Sequence, residues 1–219
     1  MKLKHVYISL IVCFQLHVNG QIDSTSITTT TFNKPFLKQS IVPLSLIGAG
    51  LIINYSDGAI GKENLQEEII RAFPDFNSNL DDFLLFVPAL TMYTADLLQV
   101  ESRNDVFSQT KILFISAIAT NAITFGLKHI TNETRPNGKN DLSFPSGHTS
   151  NAFMTATVLF HEFKDTKPVL AYSGFVFASA TGVLRVMNNA HWVSDVLVGA
   201  GIGIIVTAII LAVLALIIK

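Results

Sequence analysis

Apolar segments alternate with short polar stretches along most of the chain after residue 40. We predict a helix in or against a membrane for each of five segments, which cover residues 83–100, 111–127, 151–163, 169–186 and 193–218. The last is the clearest crossing, since a helix needs ~20 mostly apolar residues to span a bilayer. An earlier apolar segment, Ile41–Asn54, is shorter than this, and we predict that it does not cross.

The residues before these helices predict the order of the domains. Residues 1–20 combine two early lysines with an apolar run and end at Gly20, which is the pattern of a secretory signal peptide. We expect cleavage after Gly20, and the alternative is an uncleaved anchor. Residues 21–40 are rich in Ser and Thr and predict a polar linker. The membrane domain then covers residues 41–219.

Residues 61–73 predict an amphipathic helix inside that domain. Leu65, Ile69 and Phe73 share one face, and charged side chains occupy the other. A helix of this kind can lie in the membrane interface.

The last apolar segment contains three glycines at alternate positions, Gly199, Gly201 and Gly203. Their spacing is not that of a nucleotide-binding loop, and no strand pattern precedes them. We interpret them as small residues that allow close packing between helices.

Composition agrees with a membrane protein. Hydrophobic residues make up 49% of the chain and charged residues 14%, against roughly 25% charged in ordinary soluble domains. The net charge of −1 gives no electrostatic reason to expect a nucleic-acid partner. The single cysteine, Cys13, excludes disulfides within the chain and cysteine-rich metal sites. The sequence therefore predicts an all-α, polytopic membrane bundle of five to six spans.

Three polar clusters lie at the ends of predicted helices: Lys128–Pro136, Pro145–His148 and Arg185–Asp195. The first closes one helix and the second opens the next, with only a turn between them. Two crossings then return the chain to the same face, where the third cluster lies. We therefore expect one face of the membrane to gather Lys128, Arg135, Ser146, His148, Arg185, His191 and Asp195.

The residue types in these clusters indicate nucleophilic catalysis. His191 and Asp195 are four residues apart, which on a helix stacks them on one face. The carboxylate can then hold one ring N–H of His191 and leave the lone pair of the other nitrogen free to attack. His148 is a second imidazole on the same face and a candidate general acid.

The positive groups around these residues indicate a phosphate substrate. Ser146 and Gly147 begin a helix, whose free N–H groups and dipole favour an anion. Three cations, Lys128, Arg135 and Arg185, would stabilise a dianion that gains charge on attack. Zinc held by histidine and aspartate is the alternative, but the cations would repel it. We expect no metal and no other cofactor.

The three clusters resemble the signature of the type 2 phosphatidic acid phosphatase superfamily. These are membrane lipid phosphatases that share a helical core with vanadium haloperoxidases, and their pattern is K-x6-R-P, P-S-G-H and S-R-x5-H-x3-D. The matching residues are Lys128, Arg135, Pro136, Pro145, Ser146, Gly147, His148, Arg185, His191 and Asp195. Leu184 departs from the pattern, because it stands where the family commonly has Ser or Thr.

The resemblance implies a role for each matching residue. His191 would form a phosphohistidine, His148 would protonate the leaving group, and Asp195 would orient His191. The phosphoryl oxygens would be bound by Lys128, Arg135, Ser146, Gly147 and Arg185. The implied fold is the phosphatase/haloperoxidase-like helical core, and no metal is implied.

The implied activity is that of a metal-independent membrane phosphatase acting on a lipid-linked phosphate monoester or pyrophosphate. Candidate substrates are undecaprenyl diphosphate, phosphatidylglycerol phosphate, phosphatidic acid and the phosphates of lipid A, and the membrane lipids are the expected surroundings. Two alternatives remain at this point: a non-catalytic membrane module that binds lipid phosphate, and a transporter.

The basic residues of the loops predict the orientation. Arg103, Lys111, Lys164 and Lys167 lie on the face opposite the clusters. Because Lys and Arg concentrate on the cytoplasmic side, we expect a bacterial inner-membrane protein with its site facing the periplasm. A cleaved signal fits this orientation only if Ile41–Asn54 does not cross.

Overall fold

The computed structural model describes residues 34–217, and the side chains of residues 40–216. The predicted signal peptide and most of the predicted linker lie outside these residues. The eight α-helices of the described range are α1 (Lys34–Tyr55), α2 (Lys62–Ala72), α3 (Asp81–Leu84), α4 (Val87–Leu97), α5 (Val106–Thr131), α6 (Gly147–Phe163), α7 (Pro168–Met187) and α8 (Val193–Ile217). The predicted all-α class is confirmed.

Three of the described helices, α5, α7 and α8, are each long and apolar enough to cross a membrane. The apolar part of α1, Ser40–Tyr55, and the 17 residues of α6 are shorter. The protein is therefore an integral membrane helix bundle. The count of five to six crossings stays a prediction.

Contacts between helix ends define two faces of the bundle. At one end, which we call the upper face, Ser194 at the start of α8 donates to Asn54 near the end of α1 (3.0 Å). At the other end, the lower face, the side-chain amide of Asn104 donates to the carboxylate of Glu162 (2.8 Å). Successive helices from α5 to α8 therefore run in alternating directions between these faces.

Helix α1 differs most from the sequence-based expectation. It has 22 residues and begins at Lys34, inside the predicted linker. At 1.5 Å per residue its length is roughly 33 Å. It lies antiparallel to α8, with Gly50 against Val198 and Ile47 against Gly201. The predicted segment is therefore too short, because residues 34–40, which are mostly polar, continue the helix before Ile41.

The three glycines of α8 are packing residues, as predicted. A Cβ atom at Gly201 would lie 2.5 Å from a side-chain carbon of Ile47 in α1. A Cβ at Gly199 would lie 2.7 Å from the carbonyl oxygen of Ser146, and one at Gly203 would collide with the carbonyl oxygen of Ser150. Glycine therefore lets α8 approach α1 on one side and the start of α6 on the other.

Helix α2 matches the predicted amphipathic helix, and it packs over the loop between α7 and α8. Its buried Gln66 donates to the carbonyl oxygen of Val186 and to the side chain of Asn189, both at 3.0 Å. The loop that carries His191 is thereby held from the upper face.

We predict that Gly203→Ala destabilises the bundle, because the added methyl meets the backbone of α6 rather than a side chain that can move. Overpacking of this kind costs about 1–3 kcal/mol, and each kcal/mol lowers the melting temperature by roughly 2–4 °C in a chain of this size. Thermal unfolding in detergent measures the change. Gly126→Ala is the control, since a Cβ there meets nothing within 4 Å; equal melting temperatures for the two variants would contradict the packing role.

Candidate active site

The upper face brings together the residues that the sequence analysis selected. Lys128 lies in the last turn of α5 and Arg135 in the following loop, while Ser146 caps α6 and Gly147 and His148 begin it. Arg185 ends α7, and His191 and Asp195 lie before and inside the first turn of α8. Hydrogen bonds from Arg135 to the backbone of Ala190 and from Ser146 to the backbone of Asp195 connect all three polar clusters. The roles of these residues stay predictions.

His191 and Asp195 form a buried pair. Nδ1 of His191 lies 3.1 Å from Oδ2 of Asp195, and both side chains are almost completely enclosed. Because a carboxylate oxygen accepts, Nδ1 carries the proton and Nε2 carries the lone pair. The expectation that both residues lie on a helix is wrong, since α8 begins at Val193 and His191 precedes it. The spacing of four still brings them together across the helix start.

The same Asp195 oxygen accepts two further hydrogen bonds. The backbone N–H of Trp192 donates to it at 3.0 Å, and the hydroxyl of Ser143 donates from the loop before α6. Asp195 also lies in the first turn of α8, where the helix dipole favours a negative charge. Three donors and the dipole therefore hold this carboxylate, and with it the ring of His191, in one orientation.

The surroundings of His191 keep its ring neutral. Burial is the largest cause, followed by the positive charges of Lys128, Arg135 and Arg185, and together they hold the pKa of His191 well below 6.5. Both effects disfavour the charged imidazolium. The lone pair of Nε2 is therefore available near pH 7, as a nucleophile requires.

Lys128 and Arg135 are anchored by backbone carbonyls rather than by carboxylates. Nζ of Lys128 donates to the carbonyl oxygens of Leu142 (2.7 Å) and Ser143 (3.0 Å). An Nη atom of Arg135 donates to the carbonyl oxygen of Ala190 (3.2 Å). Carbonyls hold the two side chains in place without cancelling their charges, so a positive field remains at His191.

Arg185 has two carboxylate partners, Asp81 and the more distant Asp82 at 3.8 Å, and a buried donor without a partner. An Nη atom lies 2.7 Å from Oδ2 of Asp81, whose other oxygen accepts from the amide of Asn188 at 3.0 Å. Nε of Arg185 is buried and has no hydrogen-bond partner among residues 40–216. A buried donor without a partner costs free energy, so this N–H is suited to an incoming anion.

The start of α6 supplies further donors. Ser146 caps the helix: its hydroxyl oxygen accepts from the N–H and the hydroxyl of Thr149, and its own N–H donates to the backbone of Asp195 (3.0 Å). Among the described residues, none accepts the hydroxyl proton of Ser146. The N–H groups of Gly147 and His148 belong to the first turn, which has no partners within the helix.

Asp82 contacts the second histidine. Nε2 of His148 lies 3.0 Å from Oδ1 of Asp82, and that carboxylate is 55% exposed. Sequence reasoning missed both Asp81 and Asp82 as members of this region. The sequence does show two adjacent carboxylates at the start of a helix on the predicted face. Carboxylates are common at helix starts because the helix dipole favours them there, so their position alone did not indicate a site.

A polar cavity of about 190 Å³ opens beside these residues. Its walls are amide, hydroxyl, acidic and basic groups: Asn77, Ser78, Asn79, Asp81, Asp82, Arg135, Asn137, Lys139, Arg185, Asn188 and Ala190. Within the described part of the chain, no group of three or more His, Cys, Asp and Glu side chains is arranged to hold a metal ion.

Comparisons with known proteins identify the family of the chain. Residues 109–218 match the family model described as the PAP2 superfamily, and this range contains all three polar clusters. The lipid A 1-phosphatase of Porphyromonas gingivalis is 32% identical over 167 residues, which cover 74% of this chain and 36% of that protein. The chain therefore spans about a third of the length of this curated relative.

Two solved structures are similar. One is described as the first transmembrane PAP2 type phosphatidylglycerolphosphate phosphatase from Bacillus subtilis; it is 21% identical, with a TM-score of 0.52, covering 80% of this chain and 97% of that one. It shows the fold. The other is Aquifex aeolicus LpxE, 26% identical with a TM-score of 0.48, covering 67% and 93%.

Proposed function

The chain belongs to the PAP2 superfamily, and from this premise we propose that it is a membrane phosphatase acting on a phosphate monoester or pyrophosphate linked to a lipid. The observation that carries the proposal is the buried, neutral His191, held by Asp195 and surrounded by Lys128, Arg135 and Arg185. An oriented imidazole lone pair in a positive pocket suits attack on a phosphoryl group.

The proposed reaction has two steps. In the first, Nε2 of His191 forms a bond to phosphorus while the bond from phosphorus to the leaving oxygen breaks. His148 gives that oxygen a proton. In the second, His148 takes a proton from water, whose oxygen forms a bond to phosphorus while the bond from phosphorus to Nε2 of His191 breaks, and inorganic phosphate is released. Each imidazole then returns to its starting state, with His148 changing from acid to base as microscopic reversibility requires.

Basic side chains and helix N–H groups would stabilise the charge that develops on the phosphoryl oxygens. The free Nε of Arg185, the charges of Lys128 and Arg135 and the first-turn N–H of Gly147 are the proposed donors, with the hydroxyl of Ser146 as a further one. Such groups in a water-poor site stabilise a transition state strongly. We therefore propose that the reaction needs no metal ion.

The polar cavity bears on the choice among lipid phosphates. Amide and carboxylate side chains such as Asn77, Asn79 and Asp82 pair with hydroxyl groups. This lining favours a head group rich in hydroxyls, as in a sugar phosphate of lipid A, over phosphatidic acid. Undecaprenyl diphosphate and phosphatidylglycerol phosphate complete the set of substrates to compare.

We also propose that the site faces the periplasm from a bacterial inner membrane. Arg103, Lys164 and Lys167 lie at the lower face, and α1 begins there with Lys34 and Lys38 in its first turns. If α1 crosses, this orientation places Lys34 on the cytoplasmic side. Cleavage of a secretory signal after Gly20 would instead place Lys34 outside the cytoplasm. If α1 crosses, a cleaved signal and a periplasmic site therefore exclude each other, and we favour the periplasmic site.

We predict that His191→Ala abolishes phosphate release from the substrate panel by purified protein in detergent with EDTA present. The variant loses the nucleophile, so the loss should reach at least about 10³-fold, the scale of removing one member of a catalytic unit. His129→Ala is the matched control, because His129 bonds the backbone of Phe125 and none of the residues assigned to the site. It should keep activity near that of the unchanged protein.

Two results would contradict this account. Phosphate release that persists in His191→Ala would contradict the assignment of His191 as the nucleophile. Loss of phosphate release when EDTA is added to the unchanged protein would contradict the metal-free reaction but not the phosphatase activity.

We predict the orientation from labelling of single cysteines with a membrane-impermeant maleimide. With Cys13 replaced by serine, Lys139→Cys on the upper face should react in intact spheroplasts. Thr166→Cys on the lower face should react only after the membrane is permeabilised. The reverse pattern would place the site in the cytoplasm.

A further inference from the structure

A second cavity lies along the side of the bundle, away from the polar residues of the upper face. It has a volume of about 630 Å³ and is bounded by α1, α6, α7 and α8. Its lining runs from Phe153 in α6 to Lys164, the residue that follows α6, and on α8 from Ile204 to Ala215. We call it the lower groove, because its lining continues to the lower face.

The lower groove has the length of an acyl chain in one leaflet. Phe153 and Lys164 are eleven residues apart, as are Ile204 and Ala215, and each separation corresponds to roughly 16 Å at 1.5 Å per residue. Half of the hydrocarbon core of a bilayer is about 15 Å. A groove of this length therefore extends from the middle of the membrane to the interface, as one extended acyl chain does.

The walls of the lower groove are apolar and unequal in size. Phe160 packs on Tyr172 with ring centroids 5.1 Å apart and on Phe175 at 5.8 Å, which makes an aromatic wall from α6 and α7. The facing wall on α8 has small residues, including Ala208 and Ala212. Because these side chains are small, space remains between them and the aromatic rings.

Basic side chains stand at the interfacial end of the groove. Arg103 and Lys164 line it together with His161. Arg103 pairs with Asp165 at 2.7 Å, which uses part of a guanidinium that has five donors. Lys164 lies 5.8 Å from the ring centre of Phe160, and no carboxylate of the described residues forms an ion pair with it. The end of the groove therefore keeps positive charge and free donors.

We propose that the lower groove binds one anionic phospholipid from the leaflet opposite the active site. Its acyl chain occupies the groove, and its phosphate lies between Arg103 and Lys164. Basic pockets between membrane helices on the cytoplasmic side recognise anionic head groups in this way. The lipid fills the space between α1 and the pair α6–α7.

This lipid is not the substrate. His161 lies thirteen residues beyond His148 on α6, which corresponds to roughly 20 Å along the helix. A phosphate at the basic end of the groove cannot reach His191. The proposal therefore stands apart from the catalytic assignment, and either can fail without the other.

The test uses full-length protein in detergent, titrated with phosphatidylglycerol and, separately, with phosphatidylcholine of the same acyl chains. Native mass spectrometry counts the bound lipids. We expect one phosphatidylglycerol bound in preference to phosphatidylcholine, also in His191→Ala. The double variant Arg103→Gln/Lys164→Gln should bind it roughly thirtyfold more weakly, since each basic group near an anionic lipid contributes about a factor of five.

Two controls separate the groove from general effects of charge and size. Lys111→Gln/Lys167→Gln removes two charges beyond the groove and should leave the affinity unchanged. Ala212→Phe places a ring inside the groove and should remove the bound lipid, whereas Val213→Phe adds a ring at the neighbouring, 47% exposed position and should not.

Three results would overturn the proposal. Equal binding of the two lipids would show that the basic end selects nothing. Unchanged binding by Arg103→Gln/Lys164→Gln or by Ala212→Phe would put the lipid elsewhere. A photo-reactive residue at position 212 that crosslinks to residues before Lys34, rather than to phosphatidylglycerol, would show that the chain itself fills the groove.

Discussion

One oxygen of Asp195 joins the parts of the upper face. It accepts from the ring of His191, from the backbone of Trp192 and from the hydroxyl of Ser143, which belongs to the loop between α5 and α6. The backbone of Asp195 also accepts from Ser146 at the start of α6. A single residue in the first turn of α8 thus links the second and third polar clusters and the loop between α5 and α6, and the orientation of the proposed nucleophile depends on it.

Close packing of α8 makes this link possible. Gly199 allows the backbone of α8 to reach the carbonyl of Ser146, and Gly201 allows α1 to lie against its other side. The charges then act on an enclosed ring: burial and the cations at Lys128 and Arg135 keep His191 neutral, while backbone carbonyls hold both cations without neutralising them. Rigid packing, orientation and charge therefore support the same chemistry.

Sequence reasoning succeeded where short-range spacing or helix topology determines the structure. The gathering of three clusters at one face followed from counting helices, and the packing role of Gly203 followed from residue size. It failed where contacts between residues far apart in the chain determine the structure. Helix α1 packs against α8 through Pro43, Ile47 and Gly50. The pairing of Asp81 with Arg185 joins residues more than a hundred positions apart. The spacing of His191 and Asp195 predicted their contact but assumed the wrong local structure.

The central claim is that Nε2 of His191 carries the phosphoryl group, and trapping that intermediate tests it most directly. In His148→Ala, an aryl phosphate whose leaving group needs no proton can still transfer its phosphoryl group, while the base for the second step is missing. Tandem mass spectrometry should find an acid-labile phosphate on His191. A phosphate on another residue, or turnover without any phosphoprotein, would contradict the account.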